Sequence, residues 1–148
     1  MSTPPAESLL TQWFRRVWNE EDDKAIDELC TPDMISHGLV EDIHGAETWR
    51  KTFYEPMRAS FSRVHVEVLT EVAQGNTIIG QMRATVVPRA TGEEVVMHGF
   101  THVRVAEGRI AEAWDVWDFL GLMERMRLLP RASFGEAIQG RLAAHPAV

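Results

Sequence analysis

The chain has 148 residues, 45% of them hydrophobic and 25% charged, with a formal net charge of −7. That length is one ordinary domain with room for a substantial core, and the acidic balance argues against nucleic acid, whose phosphates call for clustered Lys and Arg. The single cysteine, Cys30, excludes an internal disulfide and a cysteine metal site, and no apolar run approaches the roughly 18 residues that cross a bilayer.

The start, MSTPPAESLL, has neither a basic segment nor a continuous apolar one, so a cytoplasmic protein is expected. The first periodic segment, ESLLTQWFRRVWNEED, repeats Leu9, Leu10, Trp13, Phe14, Val17 and Trp18 along one helical stripe, with Thr3-Pro4-Pro5 as its entry. DDKAIDELC reads as a shorter helix that TPD breaks. MISHGLV follows as a short extended segment carrying His37, and from Gly45 a third helix places Ala46, Trp49, Phe53 and Met57 on one face until Pro56 kinks or ends it near Glu55.

Beyond residue 62 the period drops to two. SRVHVEVLTEVA, TIIGQMRATVV, VVMHGFTHVRV and IAEAWDVW are four strands joined by the turns QGN, PRATGEE and AEGR, an antiparallel meander. FLGLMERMRLL then reads as a short helix stopped by Pro130. Ser133 and Glu136 stand at capping-box spacing ahead of a last helix over about 134–144. Helices followed by a long sheet predict a single α+β domain over 1–148, with a core at about 8–129 and a helical extension over 130–148.

Parity divides the late strands into two faces. His98, Phe100, His102 and Arg104 share one; Val95, Met97, Gly99, Thr101 and Val103 share the other. On the last strand Trp114, Val116 and Asp118 oppose Ala113, Asp115 and Trp117. Neither face is cleanly apolar, so pattern alone does not say which is buried. The His-Phe-His-Arg set fits a cavity wall with convergent polar groups; it also fits an outer sheet face. The sequence has no phosphate-cradling glycine loop and no Gly-x-Ser-x-Gly nucleophile turn, and no cofactor or metal is expected.

GRIAEAWDVWDFLGLMERM resembles the C-terminal motif of the SnoaL-like polyketide cyclases, built on the cone-shaped fold of nuclear transport factor 2. Gly108, Ile110, Glu112, Trp114, Asp118, Gly121 and Leu122 fall in register with it, and a looser likeness runs over about 8–129. The resemblance implies helices packed on a curved, mainly antiparallel sheet around a hydrophobic pocket. It implies cofactor-independent aldol-type ring closure or related proton transfer on a polyketide-like or polycyclic molecule, and a homodimer. It places the catalytic carboxylate on Asp118, with His102 and His37 as candidate oxyanion donors and Asp115 pointing outward or paired with an arginine. Trp114, His98, Phe100, Trp18, Trp49, Phe53 and Met82 are the candidate pocket residues. The MERMRLLP that follows the motif departs from the family's usual Gln-Leu-Gly ending.

Three other readings compete. An epoxide hydrolase of this fold would use Asp115 but needs Arg-x-Asp on an earlier strand, and Arg83 has no aspartate two residues on. A ketosteroid-isomerase-like proton shuttle needs only a buried carboxylate and oxyanion donors. A non-catalytic ligand-binding module would keep the cavity without a carboxylate that titrates near neutrality.

Overall fold

The computed structural model describes residues 6–141. Helix α1 (Leu9–Trp13) continues without a break into a π-helical stretch, Phe14–Asn19. Its start is capped by Ser8, whose hydroxyl accepts from the Thr11 N–H at 3.0 Å; the expected Thr3-Pro4-Pro5 entry lies outside the described residues. Leu10, Trp13, Phe14, Val17 and Trp18 are buried, as the stripe requires. At the far end, Asn19 bonds both backbone groups of Val66, at 2.7 and 2.8 Å, which pins the helix across the sheet.

Helix α2 (Lys24–Leu29) leads directly into strand β1 (Cys30–His37), and strand β2 (Ile43–His44) folds back on it. Helix α3 (Ala46–Trp49) opens into a second π-helical stretch, Arg50–Tyr54, and helix α4 (Glu55–Ser60) follows at once. Pro56 does not end the helix near Glu55: the helical run is unbroken from Ala46 to Ser60. The proline stands where the π-helical stretch gives way to α4, so the change of helical geometry falls at the residue that lacks an N–H.

Strands β3 (Phe61–Gln74), β4 (Thr77–Pro88), β5 (Val95–Ala106) and β6 (Arg109–Trp117) form the expected meander. The sheet order is β2-β1-β6-β5-β4-β3. β1 runs parallel to β6, a long-range pairing that no hairpin signal announces.

The helices cover one sheet face. Val64, Val66, Met82, Ala84, Val86, Val95, Met97, Val103 and Ala113 point into it and are buried. Opposite them, Trp49 packs between Trp13 and Trp18, with ring centroids 5.1 and 6.0 Å away. Helix α5 (Phe119–Arg125) follows the sheet, and helix α6 (Ser133–Ile138) ends the described part.

The capping box expected at Ser133 is not formed. Ala132 occupies the cap in a left-handed conformation, and the Glu124 carboxylate accepts from the Ala132 and Ser133 N–H groups instead. The helix also stops short of the expected 144: it ends at Ile138, and Gly140 follows with φ +71°; residues 142–144 lie outside the described residues. No helix among them is long and apolar enough to cross a membrane.

Candidate functional site

Between the helices and the sheet lies a cavity of about 690 Å³, counted out to its open mouth. Its helix side is aromatic with one methionine: Trp13, Phe14, Trp18, Trp49, Phe53 and Met57. Its sheet side is apolar except at Ser36 on β1, Thr101 on β5 and Asp115 on β6, with Cys30 deeper in. Leu39, from the loop after β1, and Phe119, at the start of α5, complete the lining. Among the described residues no Lys, Arg or His lines it.

Among the described residues, Asp115 is the one carboxylate that lines this cavity. It sits directly opposite Thr101 across the β5–β6 pair, and the Thr101 hydroxyl donates to its Oδ1 at 2.6 Å. The Trp117 indole N–H donates to the same oxygen at 3.4 Å, a weaker contact. The residue is partly exposed and lines the cavity, with protein packed around its carboxyl. Desolvation therefore dominates and pushes its pKa up to about 6, although both hydrogen bonds favour the charged form.

Two glycines make this geometry possible. A Cβ on Gly99 would lie 2.3 Å from the Trp117 ring, so only glycine lets that indole lie across β5. Gly38 has φ +88°, and a Cβ there would lie 2.0 Å from the Asp115 backbone oxygen, so the turn after β1 can close against β6.

The SnoaL-like domain family matches residues 10–113, well over half of the chain. The chain belongs to the SnoaL-like domain family. Solved structures agree with it on the fold. A candidate SnoaL-like polyketide cyclase from Jannaschia sp. CCS1 is 21% identical, with a TM-score of 0.71 over 88% of this chain and 99% of that one. IdmH, a candidate polyketide cyclase from Streptomyces antibioticus, is 20% identical, with a TM-score of 0.70 over 80% of this chain and 96% of its own. An NTF2-like protein of unknown function from Burkholderia pseudomallei K96243 is 16% identical, with a TM-score of 0.68 over 80% and 97%. No curated protein sequence matches the chain.

In this SnoaL-like domain the expected site residues divide between the two sheet faces. Trp18, Trp49 and Phe53 line the cavity. Met82 is fully buried in the core behind it and is not part of the lining. His98, Phe100, His102 and Trp114 stand on the outer face, away from the cavity, because their parity is opposite to that of Thr101 and Asp115.

His37 is also outside. Its ring stacks on Trp114 at 5.2 Å while His102 stacks on the same indole at 4.7 Å. His37 Nε2 meets Glu112 at 2.8 Å and Nδ1 meets Asp42 at 2.9 Å. The Glu112 bond first, then Asp42, raises the His37 pKa, and in return His37 holds Glu112 below the usual carboxylate range.

Asp118 does not face the cavity. It is exposed and caps α5, its Oδ1 accepting from the Gly121 N–H at 2.9 Å. The inward carboxylate is Asp115, neither outward-facing nor paired with an arginine. A signal for this was present in the alternation: Asp115 shares its parity with Thr101, Met97 and Val103, the more apolar of the two sets. The Asp-x-x-Gly spacing of residues 118–121 equally suits a helix cap.

Proposed function

We propose that this chain is an enzyme of cofactor-independent acid–base chemistry, acting in the cytoplasm on a small hydrophobic molecule with activated carbonyls, and that Asp115 is its catalytic carboxylate. The observation that carries this reading is the placement of Asp115: a lone carboxylate opening onto an aromatic cavity, held by Thr101, with a pKa of about 6. Its ionised form removes a proton from a carbon between carbonyls, and the conjugated oxygens take up the negative charge. The enolate carbon attacks a second carbonyl carbon of the same molecule. The alkoxide so formed takes the proton back from Asp115, which leaves the carboxylate ready for another cycle. The same proton transfer without ring closure would be an isomerisation.

Apolar walls support the reading in two ways. They keep the carboxylate's pKa near the working pH, and they hold a flexible side arm against the ring edge so that positioning supplies part of the rate. The titration of Asp115 by carbon-13 NMR, assigned with Asp115→Asn, should show a midpoint near 6. A screen of activated carbonyl compounds should find turnover that Asp115→Asn abolishes and Asp118→Asn retains. Full binding with no turnover by the wild type would leave a ligand-binding module in its place.

We infer also that two copies pair through the outer sheet face, where Ile79, Phe100, Trp114 and Val116 are exposed side by side on β4, β5 and β6. Light scattering should give a dimer mass for the wild type and a monomer mass for Val116→Asp.

A further inference from the structure

Among the described residues, Ser36 is the one hydroxyl of the cavity that the proton chemistry leaves unused. It lies on β1 with its side chain on the inner face, 2% exposed, and its hydroxyl has no hydrogen-bond partner among the described residues. A buried hydroxyl without a partner costs free energy that an alanine would avoid, so its presence in a wall of Met, Val, Ala and aromatic side chains calls for a partner from outside the protein. Thr101 does not serve as that partner within the protein: its hydroxyl donates to Asp115, and no hydrogen bond joins it to Ser36.

The sheet register fixes where the two free polar positions stand. Ser36 pairs with Ala113 in the parallel β1–β6 ladder, and Asp115 is two residues further along β6 on the same face. Strand rise and spacing then separate the two positions by roughly 8 Å along one wall. Both bonds that Asp115 accepts go to Oδ1, which leaves Oδ2 for a ligand. The facing helix wall offers no hydroxyl, amide or charged side chain, and no cation lines the cavity among the described residues.

We propose that Ser36 and Asp115 together read two oxygen functions on one edge of an uncharged, flat hydrophobic ligand, the Ser36 hydroxyl bonding the oxygen remote from the reacting carbon. Anionic ligands are disfavoured, since a carboxylate or phosphate would enter a cavity that holds a carboxylate and no compensating charge. The inference rests on the cavity being the substrate site and extends it to specificity: Ser36 positions the ligand and Asp115 acts on it.

Equilibrium dialysis with three naphthalenes of one shape tests this on the full chain. 2,7-Dihydroxynaphthalene carries two hydroxyls on one edge at a comparable separation, naphthalene carries none, and naphthalene-2,7-dicarboxylate replaces them with charges. The wild type should bind the diol about tenfold or more tighter than naphthalene, and the dicarboxylate far more weakly than the diol. Ser36→Ala should weaken the diol about 5- to 10-fold, leave naphthalene within about twofold, and unfold at the same or a higher temperature because no protein partner is lost.

Equal diol binding by wild type and Ser36→Ala would overturn the role of Ser36, and dicarboxylate binding as tight as the diol would overturn the preference for uncharged ligands. Failure of every probe to bind the wild type would remove the cavity reading together with this proposal. The expected binding pattern with turnover retained in Asp115→Asn would remove only the catalytic reading.

Discussion

The Thr101 hydroxyl donates to Asp115 Oδ1 at 2.6 Å across directly paired positions of β5 and β6. This bond opposes desolvation: it favours the charged carboxylate while burial favours the neutral acid. The working pKa is the balance of the two. Thr101→Val keeps the shape and removes the donor, so the Asp115 midpoint should move well above 6. In the carbon-13 titration the shift is upward; in a turnover assay the acid limb of the pH–rate profile moves upward with it. An unchanged midpoint would mean that the bond does not couple to ionisation.

The raised pKa also makes Asp115 a liability for folding, with a definite sign. The folded-state value, about 6, lies above the ordinary aspartate value of 3.8 that holds in the unfolded chain. Below pH 3.8 both states are protonated and the group has no effect. Between the two values the unfolded chain ionises first, so stability falls as pH rises, and above pH 6 the whole cost is present. It amounts to at most about 3 kcal/mol. Asp115→Asn should therefore be more stable than the wild type in urea at pH 8, with the gain vanishing near pH 4. Equal stability of the two proteins at pH 8 would argue against a desolvated carboxylate.

Periodicity made most of the fold legible. Helical stripes and alternating strands each follow from local burial, and the meander needs only short turns. The β1–β6 pairing was not legible, because parallel strands far apart in the chain share no turn signal. The same limit hid which sheet face lines the cavity. Seven motif residues resemble a family signature, and most of them build the frame here: Ile110 and Leu122 are core, Glu112 and Trp114 hold His37 on the outer face, and Asp118 caps α5. A cap and a catalytic acid can share a residue type and a spacing. Only the face of the sheet separates them, and that depends on where the helices pack. Trp18, Trp49 and Phe53 were legible because one helical stripe can serve as both core and cavity wall.

On the outer face, His37 fastens the loop that carries Leu39 to the cavity mouth. Its partners are Glu112 and Asp42, with Arg104 reaching the same Glu112 at 3.4 Å and His102 on the far side of Trp114. Because the folded-state pKa is raised above the reference 6.5, this clamp is at full strength below pH 6.5 and weakens as pH rises through the raised value. His37→Gln keeps the ring's reach in part but not its charge. The difference in melting temperature between wild type and His37→Gln should be largest near pH 6 and shrink toward pH 9. Asp115 titrates in both proteins and so cancels from the difference. A difference that is flat across this range would mean that the contacts do not depend on the charge.

Gly99 and Trp117 allow crowding and hydrogen bonding to be separated. A methyl group at position 99 would lie 2.3 Å from the Trp117 ring, too close for either to stay in place. Gly99→Ala should cost about 1–3 kcal/mol in urea unfolding as the indole is displaced. It should also raise the Asp115 midpoint, because the displaced Nε1 no longer donates to Oδ1. Trp117→Phe removes the donor without adding bulk to β5, so its Asp115 midpoint should rise by a similar amount. Its loss of stability comes instead from the smaller ring against Phe14, whose centroid lies 6.2 Å from the indole. If Gly99→Ala alone moves the midpoint, displacement of the wall controls the carboxylate. If both move it equally, the indole N–H does.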